Sequence, residues 1–447
     1  MLEATQTQQL AQAQGKWNAR LTPKHWKTLK GAFLGWIFDG YEALALVVVL
    51  SPLLASLMTP EQAASKPFYA GLVIGITLLG WGIGGLIGGV LADYVGRKTV
   101  MMWSVLLYAL FTGMTAFSDS IAMLCALRFI TGLAMGSEWS TGIALVAETW
   151  PPEAKAKGAG FLQSGFGWGT LAAAFIWYLL QLVGPLGVDA WRIMFLVGAV
   201  PALFVLYIRK DVDESEEWIA AVKNEQWGAT EASKASKEKG GKRPFTLKQL
   251  FTEREAVRRI VLTSILSVVS IAGWWAVSSW LTEYTRTLAA AQGGGFHWDS
   301  YVSLLYTVGA IVAYMVSGFM ADGMGRRWFL FLTFAGSLVT TFLIYGFATT
   351  PLQVLVFSPI NGFFTLGCAF AWLAIYPSEL FNTSVRSTAV SFVFNSARLV
   401  AWFFPIAAGS MIKAFGGIAP TAMAFGCIYI IGMALPWFLP ETVERVE

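Results

Sequence analysis

GGVLADYVGRK, residues 88–98, returns as SGFMADGMGRR at residues 317–327, an offset of 229. A second pair, AETWPPEAKAKGAGF (147–161) and SELFNTSVRSTAVSF (378–392), stands 231 apart. Two independent matches at nearly one offset read as a duplicated chain, the sequence sign of a protein built from repeated halves. Each copy of the first motif closes an apolar run. Its glycines let helices approach and turn tightly, its basic pair holds the loop out of an apolar phase, and its aspartate can pair with arginine or sit at a neighbouring helix N-terminus.

Around these motifs, apolar runs fill the chain. Of 447 residues, 56% are hydrophobic and 13% charged, with a mean hydropathy of +0.60. A soluble globule with a polar skin cannot be assembled from that supply, so lipid must cover most of the surface. A bilayer core of about 30 Å takes roughly 20 apolar residues per helix. Runs of that length fall at about residues 31–57, 68–92, 99–117, 120–147, 158–183, 190–208, 260–285, 300–322, 328–348, 352–377, 386–413 and 418–439. The expected fold is an all-α membrane protein with twelve transmembrane helices in two pseudo-symmetric six-helix bundles. The expected divisions are a tail (1–30), a first bundle (31–208), a linker (209–259) containing EASKASKEKGGKRP, a second bundle (260–439) and a short tail (440–447).

The net charge of +4 raises the question of which membrane face the basic residues occupy, and does not point to nucleic acid. Of 31 lysines and arginines, Lys66, Arg192, Arg286 and Lys413 fall on one face, Arg128 and Arg398 lie within spans, and the remaining 25 share the other face. That bias predicts both termini in the cytoplasm of a cell (inner) membrane protein. The first thirty residues lack the apolar core and cleavage site of a secretory signal, so the first span is expected to insert uncleaved. Cys125, Cys368 and Cys427 sit in apolar runs as expected small core residues. With His25 and His297 flanking helices, no metal-ligand spacing arises and no cofactor is expected.

Gly89, Asp93, Gly96, Arg97 and Lys98 resemble the G-x-x-x-D-R-x-G-R-K signature of the major facilitator superfamily, with Tyr94 where a basic residue is usual. Asp322, Gly325, Arg326 and Arg327 repeat it, and Leu439-Pro440-Glu441-Thr442 resembles the P-E-T tail of the sugar-transporter-like branch. The resemblance covers the whole chain. Within that branch RFITGLAMGSEWSTGIALVAETWPP (128–152) is similar to a segment of the sialate and lactate proton symporter group, with Ser137 replacing a glycine. It implies a membrane transporter of small carboxylates such as monocarboxylates, sialic acids or ring-derived acids, working by proton symport as a monomer. It also implies that the two loop signatures form a conformational latch holding the outward-facing state.

An ionisable residue near mid-bilayer costs about 2.5–3.5 kcal/mol on insertion scales, which suggests a cavity, a partner or a task. Asp39 and Glu42 in WIFDGYEALAL, with Glu138 in the fourth span, lie at similar depth and are expected to carry protons. Arg128, near the outer end of its span, could snorkel and is assigned to coupling or helix contacts. Arg398 is about twelve residues into the eleventh span, roughly 18 Å at helical rise. There its fork of donors would meet a carboxylate substrate. Asn395, one turn earlier, Trp139, beside Glu138, and Tyr41 are expected to line the same site, and each charge has a structural alternative in bridging two helices. Two other functions stay open: transport of a neutral sugar or polyol with Arg398 structural, and a transporter-like sensor. No nucleophile, metal or phosphate-binding constellation suggests an enzyme.

Overall fold

The computed structural model describes residues 17–63, 66–182, 190–223, 246–251, 254–293, 298–381, 385–404, 411–412 and 414–443. Outside them lie the start of the expected N-terminal tail (1–16), the interior of the expected linker (224–245), residues 405–410 and 413 of the eleventh span, and residues 444–447 of the C-terminal tail.

Among the described residues the chain forms helices and turns, with no strand. The long helices are α1 (Pro23–Leu57), α2 (Lys66–Val95), α3 (Arg97–Thr115), α4 (Ile121–Thr149) and α5 (Pro152–Leu182). There follow α6 (Ala190–Asp211), α7 (Arg254–Ala291), α8 (Trp298–Met324), α9 (Arg326–Phe347), α10 (Pro351–Leu380), α11 (Arg386–Ala401) and α12 (Ile418–Phe438). Nine of these are long and apolar enough to cross a membrane. The others, α3, α5 and α11, are helical where spans are expected.

Helix ends depart from the hydropathy reading where capping and breaking residues decide them. Helix α1 begins at Pro23, before the apolar run expected from residue 31, because Pro23 suits a first helical position. The Thr22 N–H is satisfied by His25 Nδ1 at 2.9 Å. Helix α6 breaks into Ala190–Val197 and Pro201–Asp211 at Gly198 and Pro201. The expected linker is helical at its margins, over Glu216–Lys223 and Thr246–Leu250.

The packing repeats between the halves. Helix α1 lies on α5 as α7 lies on α11, α2 on α4 as α8 on α10, and α3 on α6 as α9 on α12. The halves meet through α2 against α11 and α5 against α8, the same pairing exchanged. Helices α3, α6, α9 and α12 are peripheral, and their outer faces carry exposed apolar side chains. On α3, Trp103, Leu107, Leu110 and Met114 form one exposed stripe at helical spacing. Water would not tolerate such stripes around the whole molecule, whereas lipid covers them. Cys427 on α12 is exposed and Cys125 on α4 is half-buried, so of the three cysteines Cys368 alone is fully buried.

Glycines set the closest approaches. A Cβ on Gly136 of α4 would strike the backbone of Trp81 and Gly85 on α2, and one on Gly309 of α8 would strike the Pro359 carbonyl of α10, as one on Gly80 of α2 would strike the Phe129 carbonyl of α4. Gly136→Ala should therefore lower thermal stability in detergent by about 1–3 kcal/mol through overpacking. Gly323→Ala, where a Cβ meets open space, should leave the melting temperature unchanged or raise it. Equal melting temperatures for wild type and Gly136→Ala would contradict this packing.

Candidate functional site

Both copies of the repeated motif build the same structure. Gly96 and Gly325 adopt φ of 108° and 89° as N-caps of α3 and α9, a conformation that favours glycine. A carboxylate from further along the chain then accepts the free N–H groups of each helix start. Glu214 takes those of Arg97 (3.0 Å) and Lys98 (3.1 Å), and Glu441 takes those of Arg326 (2.9 Å) and Arg327 (3.1 Å). Burial opposes the charge on Glu441, but backbone N–H donors of Arg326, Arg327, Val443 and Thr442 outweigh it and hold the carboxyl below its ordinary range. Lys98 donates to the Arg209 carbonyl (2.9 Å) and Arg327 to that of Leu439 (2.8 Å), tying each loop to the end of its own half.

The two aspartates then cross between halves. Asp93, at the end of α2, pairs with Arg97 at 3.0 Å, and Arg97 pairs with Glu148 at 2.9 Å. Asp93 also accepts the N–H of Thr388 at 3.1 Å and its hydroxyl, at the N-terminus of α11. Asp322, at the end of α8, pairs with Arg326 at 2.9 Å, Arg326 pairs with Glu379 at 2.6 Å, and Lys157 on α5 reaches across to Asp322. Lys157 and Thr388 stand 231 residues apart, so the two crossings occupy equivalent places in the repeat. Gly89 admits Ser391 and the Ser387 carbonyl against α2, where a Cβ would collide. The face that carries the basic loops is therefore closed along both seams.

Deeper in the bundle the ionisable residues divide into two groups. Glu42 is ion-paired with Arg128, whose guanidinium also donates to Thr115 (2.7 Å) and Thr131 (3.2 Å) and lies 4.8 Å from the Phe195 ring centroid. Arg128 is fully buried, so it does not snorkel: Glu42 and two hydroxyls hold its two Nη groups where it stands. Tyr41 likewise has a partner within the first bundle, its hydroxyl donating to the Met194 carbonyl of α6 at 2.9 Å.

The second group lies around the seam. Asp39 and Glu138 are 0% and 1% exposed, and neither carboxylate accepts a hydrogen bond from the described residues. Glu138 rests over Gly35 of α1, one turn before Asp39, and Asp39 is within electrostatic reach of Glu138, of Arg398 and, less strongly, of Glu42. Arg398 is 5% exposed; its Nη1 donates to Asn395 Oδ1 at 2.8 Å, and its carbon lies 3.9 Å from the Trp81 ring centroid and 3.8 Å from that of Phe394. The Asn395 amide is itself fixed, donating to the Ser391 carbonyl at 2.9 Å. Trp139 donates to Gln163 Oε1 at 2.8 Å, and its ring lies 4.1 Å from that of Phe394. The structure thus brings Asp39, Glu138, Trp139, Asn395 and Arg398 together, while Glu42, Arg128 and Tyr41 have partners within the first bundle.

Sequence reasoning missed Trp81, Phe394 and Gln163 here, and Glu148, Lys157 and Glu214 at the basic face. Phe394 stands four residues before Arg398, a spacing that places them on one helix face. Glu148 and Lys157 both lie inside the second repeated motif.

Unpaired buried charges at the seam of two repeated membrane bundles define a transporter of small solutes, because a centrally placed site between two halves can open to either side. A solved major facilitator superfamily proton:xylose symporter bound to 6-bromo-6-deoxy-D-glucose superposes with a TM-score of 0.77, at 18% identity, over 94% of this chain and 97% of that one. The family model described as "Sugar (and other) transporter" matches residues 32–446, and the chain belongs to that family. It is 30% identical over 420 residues to a Haemophilus influenzae protein named "Putative metabolite transport protein", covering 93% of this chain and 96% of that one. It is 25% identical to the niacin transporter NiaP of Acinetobacter baylyi, covering 94% of each. The chain is a multi-pass membrane transporter rather than an enzyme.

Breaking the buried Glu42–Arg128 pair strands a charge. Arg128→Met should cost about 3–5 kcal/mol of stability, and adding Glu42→Met should recover most of it. Thermal unfolding of the three proteins in detergent measures this; a double variant as unstable as Arg128→Met would mean that the pair is not what Arg128 supplies.

Proposed function

We propose that this transporter imports a small organic acid by proton symport, with Arg398 receiving the substrate carboxylate. One observation carries the reading. Among the buried arginines Arg97, Arg128, Arg326 and Arg398, the first three each hold a carboxylate within ion-pair distance and Arg398 holds none among the described residues. A buried guanidinium is costly without an anion, and a bound carboxylate supplies one with matching bidentate geometry. The niacin-transporting relative, named for a ring carboxylic acid, supports the same class.

Asp39 and Glu138 are the proton carriers in this scheme. While ionised they compete for the field of Arg398; once protonated they release it to the substrate. Glu42 and Arg128 hold α1 to α4. Residues 31–208 then rock against residues 260–439 around the site, with 209–259 joining them. Opening the basic face breaks the Asp93–Thr388 and Lys157–Asp322 crossings, which makes Gly89, Asp93, Gly96, Arg97 and Lys98, with Asp322, Gly325, Arg326 and Arg327, the latch. The basic face is cytoplasmic, both termini lie there, the membrane is the cell's inner membrane, and one chain suffices.

Energetics constrain the coupling. One proton with one monoanion moves no net charge, so a pH gradient alone drives uptake, at about 1.4 kcal/mol per unit. Use of the membrane potential, about 2.3 kcal/mol per charge at 100 mV, needs a second proton. Asp39 and Glu138 provide two sites.

In proteoliposomes under an imposed pH gradient, the protein should accumulate an acid from a panel of lactate, sialic acid and benzoate, and should ignore hexoses and the amide of the accepted acid. Transport of the amide or of a hexose at the rate of the acid would favour a neutral substrate instead. Arg398→Ala should abolish uptake, and a normal rate in that variant would refute the site. Asp39→Asn or Glu138→Gln should lose gradient-driven accumulation while retaining exchange of labelled for unlabelled substrate; accumulation undiminished in both would remove these carboxylates from the coupling.

A further inference from the structure

Helix α3 turns an apolar stripe outward, and its inward face carries hydroxyls. Ser104, Tyr108, Thr112 and Thr115 recur at spacings of four, four and three residues, which places them on one side of the helix, and all are buried. Two of these hydroxyls have partners. Ser104 donates to the Ala134 carbonyl of α4, while Thr115 donates to the Phe111 carbonyl at 2.9 Å and accepts from Arg128 at 2.7 Å. The hydroxyls of Tyr108 and Thr112 have none among the described residues. A buried hydroxyl left unpaired costs free energy, and phenylalanine or valine would fill the same space without that cost.

Both hydroxyls belong to residues that stand beside carboxylates. Tyr108 is within electrostatic reach of Asp39, Glu138 and Glu42, in falling order of strength, and so lies between the two ionisable groups of the first bundle. Thr112 and the Oε2 of Glu42 share the space over Gly198 at the break in α6, where a Cβ would meet both. That oxygen, like both oxygens of Asp39 and of Glu138, accepts no hydrogen bond from the described residues. Donors and acceptors without partners thus gather on the α3 side of the carboxylates. Helix α3 packs on α2, α4 and α6 of its own half, whereas Arg398 approaches Asp39 from α11 of the other.

We propose that Tyr108 relays protons to Asp39 and Glu138, which receive them from the α3 side by way of Thr112 while substrate meets Arg398 at the seam. The inference rests on the proton-symport reading above. Tyr108 stays neutral throughout: its oxygen takes a proton from the Thr112 side as its own O–H proton passes to an ionised Asp39 or Glu138, and rotation of the hydroxyl restores the starting state. Thr112 takes a proton originating in solution and gives up its own in the same way, so one proton moves and both hydroxyls are regained. Glu42, still paired with Arg128, favours positive charge passing beside it. The path leads toward the Thr115 end of α3, away from the basic face that the latch closes. A relay alters how fast protons arrive and not how many are bound, so it governs rate and leaves the coupling ratio alone.

Proteoliposomes under an imposed pH gradient, supplied with labelled lactate, sialic acid or benzoate, test this. Tyr108→Phe removes the relay oxygen and keeps the ring. Its initial rate of gradient-driven uptake should fall at least about tenfold, well within what a positioned proton-transfer group supplies. Its final accumulation ratio should match that of wild type, as should exchange of labelled for unlabelled substrate at equal pH, which needs no net proton movement. Should Tyr108→Phe fail to fold, Thr112→Val decides, with the same slowed rate and unchanged ratio. A wild-type initial rate, a lowered final ratio, or uptake and exchange slowed equally would each overturn the relay. Wild-type protein that accumulates none of the three acids under the gradient would instead overturn the proton-symport reading beneath it, and the relay with it.

Discussion

A permanently charged guanidinium held inside an apolar bundle has to be compensated, and the means of compensation organises this molecule. Arg97, Arg128 and Arg326 are compensated by carboxylates of their own half. Arg398 has aromatic faces, one amide oxygen and a distant field from Asp39 instead. Cation–π contact offsets part of the desolvation cost but does not neutralise charge. The site is therefore incomplete in a way that an anion would complete, and its position at the seam of α2 and α11 makes any such completion felt by both halves.

The same economy of contact governs the latch. Each half ends its second helix on an aspartate that is shared between an arginine of its own half and a group from the other half. An arrangement with one strong local partner and one exchangeable distant partner can let go of the distant one without exposing an unpaired charge. The close approach that allows it comes from glycine and serine on α2 and α11, so association of the halves depends on small side chains and hydrogen bonds, as expected where lipid removes the hydrophobic drive between helices.

Much of this was legible in the sequence because it rests on local requirements. Gly96 and Gly325 recur since only glycine readily takes their backbone conformation, and Asp93 and Asp322 recur since each sits beside a helix start; the duplication could be read from such residues directly. The burial of Arg398 inside the bundle could be expected from its place in an apolar run. Partner choice was harder. Asp39 and Glu42 are three residues apart, yet one faces the seam and the other Arg128, because small differences in azimuth on α1 meet different neighbours. Glu214 was hidden in a charged stretch that reads as linker, although its carboxylate caps α3. Trp81 lies in a glycine-rich run where hydropathy registers only an apolar residue, and its value comes from the opposite helix.

The most direct test is a structure with a transported acid bound. The account predicts its carboxylate on the Arg398 guanidinium, at the seam of α2 and α11. An acid bound elsewhere in the bundle, with Arg398 paired to Asp39 instead, would contradict it.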